Sequence, residues 1–255
     1  MKPLVSILIP TFNRPDFFEQ ALRSAMVQTY PNIEVIVSDN STNKLTEQIV
    51  ARYQAMPRGS VIRYYHNPEN IGPIANQQRI LKLAQGEFIN YLNDDDLFHP
   101  RKIEKMMYYF LTRPDVVLVT SQRRVIDAKG NRVYVPPLGT FKQLYPRDTI
   151  VGGRKLTRLM LSTQTNFIGE PTTALFRRRA LTEPFGVLGG KQVFFAVDMA
   201  SWFNLMTHGN AVYMVQPLSY LRFHSEQLSQ NEYAQKVAKM DYKVFERFAQ
   251  MHGYK

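Results

Sequence analysis

Short apolar runs alternate with longer stretches of helical periodicity along the first hundred residues. Each run is rich in branched residues and ends at a proline or a polar group, which is typical of a strand buried in a sheet. Between the runs, apolar residues recur three or four positions apart, which predicts helices packed on that sheet. The predicted strands are 5–9, 33–37, 61–65 and 88–92, and the predicted helices are 16–28, 45–56 and 74–84.

The alternation continues to the end of the chain with one interruption. Residues 133–150 are rich in proline, glycine and tyrosine, which predicts a long ordered loop or a small ribbon. The whole pattern predicts an α/β fold with a Rossmann-like, mostly parallel central sheet flanked by helices. We expect one domain over 1–229 and a C-terminal helix over 230–255. Further helices are predicted at 100–110, 156–161, 198–206 and 232–252, and further strands at 116–120, 174–177 and 211–215.

The amino-acid composition restricts the possible chemistry of the protein more than it restricts the fold. Hydrophobic residues make up 44% of the 255 residues and there is no cysteine, so any metal must bind to oxygen or imidazole ligands. The apolar run at 4–9 is too short for a membrane span and lacks the features of a secretory signal, which predicts a cytoplasmic protein. The net charge of +11 favours phosphorylated ligands or peripheral contact with an anionic membrane.

Three consecutive aspartates, Asp94, Asp95 and Asp96, follow the predicted strand at 88–92. Like charges this close repel each other unless a cation or another positive group neutralises them. The carboxyl ends of parallel strands form the ligand-binding edge of an open sheet. These carboxylates and Asn93 therefore predict a Mg²⁺ or Mn²⁺ site shared with ligand phosphates. The alternative is a helix N-cap before Pro100, for which one aspartate would suffice.

The aspartates belong to a longer series of segments in a definite order. The series comprises 5–14 (VSILIPTFNR), 36–41 (IVSDNS), 70–72 (NIG), 84–96 (AQGEFINYLNDDD), 197–198 (VD) and 220–224 (YLRFH). In the order and spacing of these segments, which cover residues 4 to about 229, the chain resembles family 2 glycosyltransferases of the GT-A fold.

The resemblance implies a nucleotide-binding half over about 1–96. The loop with Pro10, Thr11 and Arg14 would contact the base and ribose, although the first two could simply end a strand. Asp39 would accept a hydrogen bond from a pyrimidine ring, or alternatively form an Asx turn. The family usually carries an arginine and an asparagine after the Asn-x-Gly segment, and here that stretch differs. Further nucleotide contacts are implied at Asn70, Gly72, Asn76 and Arg79.

The family's diphosphate and metal site has the pattern Asp-x-Asp, which fits this chain in two registers. One register pairs Asp94 with Asp96, and the other pairs Asn93 with Asp95. We expect Asp95 and Asp96 to lie nearest the metal and the phosphate, and Asp94 to lie near the ribose.

The resemblance also implies an acceptor-binding half over about 97–229. Asp198 corresponds to the family's general base at the start of a helix, a position that also suits an N-cap. His224 would complete the metal shell, with a structural role as the alternative, and Arg222 would hold the diphosphate in a fork. Acceptor contacts are implied at Glu170, which could equally be structural, and at Trp202.

The resemblance therefore implies a metal-dependent, inverting glycosyltransferase. It would move a sugar from a UDP-sugar, or from a dTDP-sugar, to a hydroxyl of a saccharide, lipid-linked or polymer acceptor in cell-surface polysaccharide synthesis. A nucleotidyltransferase also uses an acidic cluster at a strand end, but the 10–14 segment lacks the glycines of its phosphate loop. A basic module that binds nucleic acid or an anionic surface is the non-enzymatic alternative, although no recognition helix or aromatic RNA motif supports nucleic acid.

Overall fold

The computed structural model describes residues 2–136, 141–224 and 232–254. Helices and strands alternate along these residues, as the hydrophobic pattern predicts. The helices are α1 (Pro15–Met26), α2 (Leu45–Gln54), α3 (Pro73–Leu83), α4 (Lys102–Thr112), α5 (Gly153–Thr163), α6 (Val197–Met206) and α7 (Glu232–Met251). The strands are β1 (Val5–Thr11), β2 (Ile33–Asp39), β3 (Ile62–His66), β4 (Phe88–Tyr91), β5 (Leu97–Phe98), β6 (Val116–Ile126), β7 (Arg132–Val133), β8 (Thr149–Gly152), β9 (Leu175–Arg177), β10 (Val187–Leu188), β11 (Lys191–Gln192) and β12 (Asn210–Arg222).

The first half of the sheet is parallel. β1 pairs with β2 on one side and with β4 on the other, and β2 pairs with β3. All of β2 is buried, and so is β1 apart from the half-buried Pro10. Because helices cover both faces of such a sheet, its strands need continuous apolar runs. The segments that follow Thr11, Asp39 and Tyr91 therefore meet at one edge, where ligands bind in open sheets.

The second half of the sheet is mixed. β9 is antiparallel to both β4 and β6, and β12 is parallel to β6 but antiparallel to β5 and β8. β6 and β12 extend beyond the predicted strands, to Ile126 and Arg222. Because β9 continues the sheet from β4, the two halves share one sheet. Their division near residue 96 stays a proposal.

The C-terminal helix packs on the second half of the molecule. Phe245 and Phe248 of α7 pack against Phe203 of α6. The Asp241 carboxylate of α7 accepts hydrogen bonds from the N–H groups of residues 194–196 and so fixes the segment that leads into α6. The predicted boundary at 229/230 lies outside the described residues. The α/β fold with flanking helices and a C-terminal helix is confirmed, and no helix in the described part of the chain is long and apolar enough to cross a bilayer.

Candidate active site

The end of β1 holds Asp94 in place. Thr11 Oγ1 donates a hydrogen bond to Asp94 Oδ2 (2.8 Å), and the N–H of Phe12 donates to the same oxygen (3.3 Å). Arg14 Nη1 lies 3.5 Å from the other carboxylate oxygen. Burial and the neighbouring Asp95 raise the pKa of Asp94 to about 6, against the opposing effect of Arg14. Three residues predicted to bind the nucleotide are thus brought together.

Asp95 lies between an arginine and a histidine. Its Oδ2 atom is 3.1 Å from Arg14 Nη1 and 3.0 Å from His224 Nε2. The ring of His224 packs against Phe17 of α1, with the ring centroids 5.0 Å apart. The structure therefore places in contact two predicted metal ligands that are far apart in sequence.

Asp96 is completely buried. Its Oδ1 atom accepts the N–H of Arg222 (3.0 Å), and its Oδ2 atom accepts the hydroxyl of Thr172 (2.6 Å) and the amide of Asn93 (3.2 Å). Burial, followed by the charge of Asp95, raises the pKa of Asp96 well above its ordinary value. Because Asp96 has no exposed surface, its oxygens are closed to an external metal ion in this conformation. The geometry therefore replaces the predicted metal contact of Asp96 by a supporting role.

Arg222 is also completely buried. Its Nε atom donates to the Asp95 carbonyl (2.7 Å), Nη1 donates to the carbonyls of Asp127 and Ala128 (3.1 and 3.0 Å), and Nη2 donates to Gln20 Oε1 (2.9 Å). This guanidinium ties the aspartate segment to α1 and to the turn between β6 and β7. The predicted fork around a diphosphate is replaced by this supporting role, because the donor groups are turned inward.

Asp39 ends β2 and is completely buried. Its Oδ1 atom accepts the N–H of Ser41 (2.8 Å), which forms the Asx turn that the sequence offers as an alternative. Its Oδ2 atom accepts the hydroxyl of Tyr64 (2.9 Å), and burial together with this carboxylate raises the pKa of Tyr64. A nucleobase contact by Asp39 stays a prediction.

The other predicted nucleotide ligands lie around the start of α3. Asn76 is buried, and its amide exchanges two hydrogen bonds with Ser38 (2.6 and 3.0 Å). Asn70 Oδ1 accepts the N–H of Gly72 (2.9 Å). The φ angle of Gly72 is +81°, which favours glycine, and the space around it is open. Arg79 is exposed on α3. Asn76 thus supports β2, whereas Gly72 and Arg79 remain accessible.

The segment over residues 169–173, here named the acceptor-side turn, adjoins the aspartates. Its Thr172 donates the hydroxyl hydrogen bond to Asp96. Gly169 has a φ angle of +92°, and a Cβ atom there would lie 2.9 Å from Arg123 Nη1. Only glycine therefore fits this position without displacing the arginine.

Lys102 anchors the acceptor-side turn from the interior. Its side chain is completely buried, and Nζ donates to the Thr173 carbonyl (2.8 Å) and contacts Met106 Sδ (3.3 Å). Burial lowers the pKa of Lys102 well below its ordinary value. Nothing in the sequence marks Lys102 as part of the site, because a lysine at the start of an amphipathic helix is usually exposed.

Asp198 lies half-buried in the first turn of α6. Its Oδ2 atom accepts the amide of Asn166 (2.8 Å), and its Oδ1 atom accepts the N–H of Met199 (2.8 Å). Burial raises the pKa of Asp198 to about 7; Glu170 adds to the rise, while the Met199 N–H and Arg123 oppose it. A carboxylate that exchanges its proton near neutral pH is suited to general base catalysis.

Glu170 and Arg123 form an ion pair beside this carboxylate. The Oε2 and Nε atoms of the pair are 2.9 Å apart, with the arginine buried and the glutamate partly exposed. Arg123 and Asn166 are not among the residues that the sequence predicts at the site. Arg123 lies beyond the predicted end of its strand, and Asn166 lies in a loop without a motif.

Trp202, predicted to contact the acceptor, has no exposed surface. Its Nε1 atom donates to the Gly169 carbonyl (3.0 Å), and its ring packs edge-on against Phe176 and Phe185. The burial corrects the prediction: Trp202 supports the acceptor-side turn from behind.

A divalent ion would find two adjacent protein donors at this site. Within the described residues, no group of three or more histidine, aspartate or glutamate side chains is arranged to hold a metal. Asp95 offers a carboxylate oxygen, which suits Mn²⁺ or Mg²⁺, and Nε2 of His224 would become a nitrogen ligand on giving up its hydrogen bond to Asp95. The donor set therefore fits an ion whose other ligands come from a diphosphate and water.

The comparisons with known proteins agree on one family. The model of Glycosyl transferase family 2 matches residues 6–184. The chain is 31% identical over 147 residues to an uncharacterized glycosyltransferase, MJ1057, of Methanocaldococcus jannaschii, covering 56% of this chain and 50% of that protein. It is 25% identical to the putative teichuronic acid biosynthesis glycosyltransferase TuaG of Bacillus subtilis, covering 100% of this chain and 92% of that protein. The chain spans half or less of the length of the first three curated relatives it matches.

Solved structures share the fold. Residues 1–349 of S. aureus TarS in complex with UDP-GlcNAc superpose with a TM-score of 0.67 at 20% identity, covering 94% of this chain and 65% of that one. The mannosyltransferase PcManGT of Pyrobaculum calidifontis, in complex with GDP-Man and Mn²⁺, gives a TM-score of 0.65 at 19% identity, covering 98% and 65%. At these identities the likeness bears on the fold alone.

Proposed function

Because the chain belongs to glycosyl transferase family 2, we propose that it transfers a sugar from a nucleotide-diphosphate sugar to an acceptor hydroxyl with inversion, using Asp198 as the general base. The family favours glycosyl transfer over the nucleotidyltransferase and the nucleic-acid-binding alternatives. The observation that carries the mechanism is the half-buried Asp198, whose pKa of about 7 is raised in part by Glu170 of the acceptor-side turn. The same turn is hydrogen-bonded to Asp96 through Thr172.

In the proposed reaction, Asp198 takes the proton of the acceptor hydroxyl. The hydroxyl oxygen forms a bond to the anomeric carbon on the face opposite the diphosphate, and the bond between that carbon and the phosphate oxygen breaks. The bonding electron pair leaves with the nucleoside diphosphate. Arg14, paired with Asp94 and Asp95, would contact the base and ribose of the donor. A divalent ion held by Asp95 and His224 would supply Lewis-acid stabilisation of that leaving group.

We propose a UDP-sugar as the donor, with a dTDP-sugar as the second candidate. Asp39 lies at the end of β2 and is held by Tyr64 and Ser41. Because it has no exposed surface, the pyrimidine N–H would bind to it only after the base displaces the groups that cover this carboxylate. A structural neighbour binds UDP-GlcNAc, although another binds GDP-Man. Melting-temperature shifts with a panel of nucleotide-sugars test this order, because a ligand that binds only the folded state raises its stability.

For the acceptor we propose a saccharide, lipid-linked or polymer hydroxyl in cell-surface polysaccharide synthesis. The support is the likeness to TuaG, whose name assigns it to teichuronic acid biosynthesis. The protein would then act in the cytoplasm, peripherally at the inner face of the membrane.

The experiment that tests the base is Asp198→Asn. We expect transfer in the presence of Mn²⁺ or Mg²⁺ to fall by about 10²- to 10⁴-fold, the usual contribution of a general base. Donor binding, measured by calorimetry, should stay within about twofold of the wild type, since Asp198 is not a proposed donor ligand. The exposed Glu246→Gln on α7 is the matched control and should retain full activity. Transfer by Asp198→Asn at the wild-type rate would show that another group takes the proton.

A further inference from the structure

A cavity of about 170 Å³ opens beside the turn that Arg222 binds. Leu97, Tyr220 and Arg124 stand in register across β5, β12 and β6, and Ile126 pairs with Arg132 of β7. The cavity, here named the basic pocket, is lined by Leu97, Arg124, Ile126, Gly130, Arg132 and Tyr220.

The two arginines of the basic pocket face solvent without neutralising carboxylates. Arg124 and Arg132 are both exposed, and neither forms an ion pair with any residue that the structure describes. The nearby Asp127 turns its carboxylate onto its own loop, where Oδ1 accepts the N–H groups of Lys129 and Asn131 (2.9 and 2.8 Å). The pocket therefore presents two guanidinium groups to an external anion.

Positive charge continues from the pocket onto the start of α4. Burial lowers the pKa of His99, and the charges of Lys105, Arg124 and Arg101 lower it further, so each of these cations acts on the residue that precedes α4. Glu104 pairs with Arg101 (2.9 Å) and offsets only one of them. The combined surface carries an excess of positive charge.

The same side of α4 also exposes apolar groups. Arg101, Lys105 and Tyr108 follow each other at spacings of four and three, which places them on one side of the helix, and Leu111 comes three residues later. The exposed fractions are 62% for Tyr108 and 54% for Leu111. Basic residues next to an exposed tyrosine and leucine are typical of a helix surface at a membrane interface.

We propose that the basic pocket and this side of α4 form the surface by which the protein docks on an anionic lipid bilayer, with a phospholipid phosphate between Arg124 and Arg132. A cavity of 170 Å³ accommodates a phosphate group, and Tyr108 and Leu111 suit the apolar boundary of the bilayer. A groove for single-stranded nucleic acid would instead need aromatic rings along a basic track. This inference rests on one part of the proposed function, the lipid-linked acceptor, which would be presented at the same membrane surface.

The test is sedimentation of the whole protein with vesicles of phosphatidylcholine containing 30% phosphatidylglycerol, compared with pure phosphatidylcholine. We expect binding only to the anionic vesicles, and weaker binding as salt screens the charges. The double variant Arg124→Glu, Arg132→Glu should bind at least about thirtyfold more weakly, from about 1 kcal/mol for each arginine near the surface. The control Arg179→Glu, Lys191→Glu changes the net charge equally at two exposed positions elsewhere and should bind almost as the wild type does.

A second variant separates the apolar contribution from the charges. Tyr108→Ser, Leu111→Ser should weaken vesicle binding at high salt, where charge is screened, with a smaller effect at low salt. Transfer to a soluble acceptor should be unchanged in all these variants, so a failure of docking is distinguishable from a failure of the proposed function. The proposal is overturned if the two charge variants lose binding equally, if pure phosphatidylcholine binds as well, or if only RNA is bound in a gel shift.

Discussion

Neutralising Glu170 tests the base assignment more finely than removing Asp198, because the two carboxylates interact. Glu170 contributes to the raised pKa of Asp198, and Arg123 opposes the rise. In Glu170→Gln the negative neighbour disappears, while the guanidinium that lay 2.9 Å from it keeps its charge. The pKa of Asp198 should therefore fall from about 7, and the acid limb of the transfer rate should move to lower pH.

The size of the effect follows from the fraction of Asp198 that is ionised. With a pKa of about 7, about one carboxyl in ten is charged at pH 6 and about one in a hundred at pH 5, so the wild-type kcat/KM should fall about tenfold per pH unit. A decrease of one pKa unit corresponds to about 1.4 kcal/mol. It would raise the rate of Glu170→Gln roughly fivefold over the wild type at pH 6 and leave the rates nearly equal at pH 8.

The assay is the pH dependence of kcat/KM between about pH 5 and pH 9, with donor affinity measured by calorimetry at each pH. The separate binding measurement is needed because the pKa of Asp94, at about 6, lies in the same range and would alter donor binding. Glu246→Gln serves as the matched control on the surface. An acid limb that stays in place in Glu170→Gln, or moves to higher pH, would refute the electrostatic argument.

Two further predictions concern buried partners of the site. Tyr64→Phe removes the hydroxyl that donates to the buried Asp39, so the free energy of unfolding in urea should drop by about 1–3 kcal/mol. Uridine nucleotides should also bind more weakly. Unchanged binding would argue against Asp39 as a nucleobase ligand. Lys102→Met removes a buried amine whose protonated form costs several kcal/mol to desolvate, more than the about 1.5–3 kcal/mol of a charged hydrogen bond to Thr173. The free energy of unfolding of Lys102→Met should therefore be higher than that of the wild type at pH 7, and transfer should be slower. Because the folded pKa of Lys102 lies below the unfolded value, this gain in stability should vanish above about pH 10.4. A variant that is less stable than the wild type at pH 7 would contradict this.

The buried strands were predictable because their apolar runs are continuous. β1 and β2 are covered on both faces, so nearly every residue is apolar and the pattern is unambiguous. The direction of β9 was not predictable, since a buried run of three residues has the same composition whether it is parallel or antiparallel. β5 has two residues, too few to show any period. Pairing partners decide these features, and they lie far along the chain.

The segments that form the site were predictable from the sequence, but the burial and the role of each side chain were not. The motif located the aspartates, yet the burial of Asp96 depends on Thr172 and Arg222, which are 76 and 126 residues away. The acceptor contact of Trp202 is implied by the resemblance alone, which carries no information on the burial of this side chain. All residues of α6 after its first turn are buried. No side of the helix at Trp202 therefore reaches an acceptor.

In the aspartate segment, the protein's own groups compensate most of the carboxylate charge, so little of it remains to attract an external cation. Three adjacent carboxylates predict a cation or another positive group beside them, and the protein supplies most of that compensation itself. Asp94 is held by Thr11 and Arg14, and Asp96 receives three hydrogen bonds in the interior. Asp95 also contacts Arg14, but its other partner, His224, is an imidazole that can equally bind a metal. Any dependence on a divalent ion should therefore act through Asp95, whereas Asp94 and Asp96 determine where that carboxylate is held.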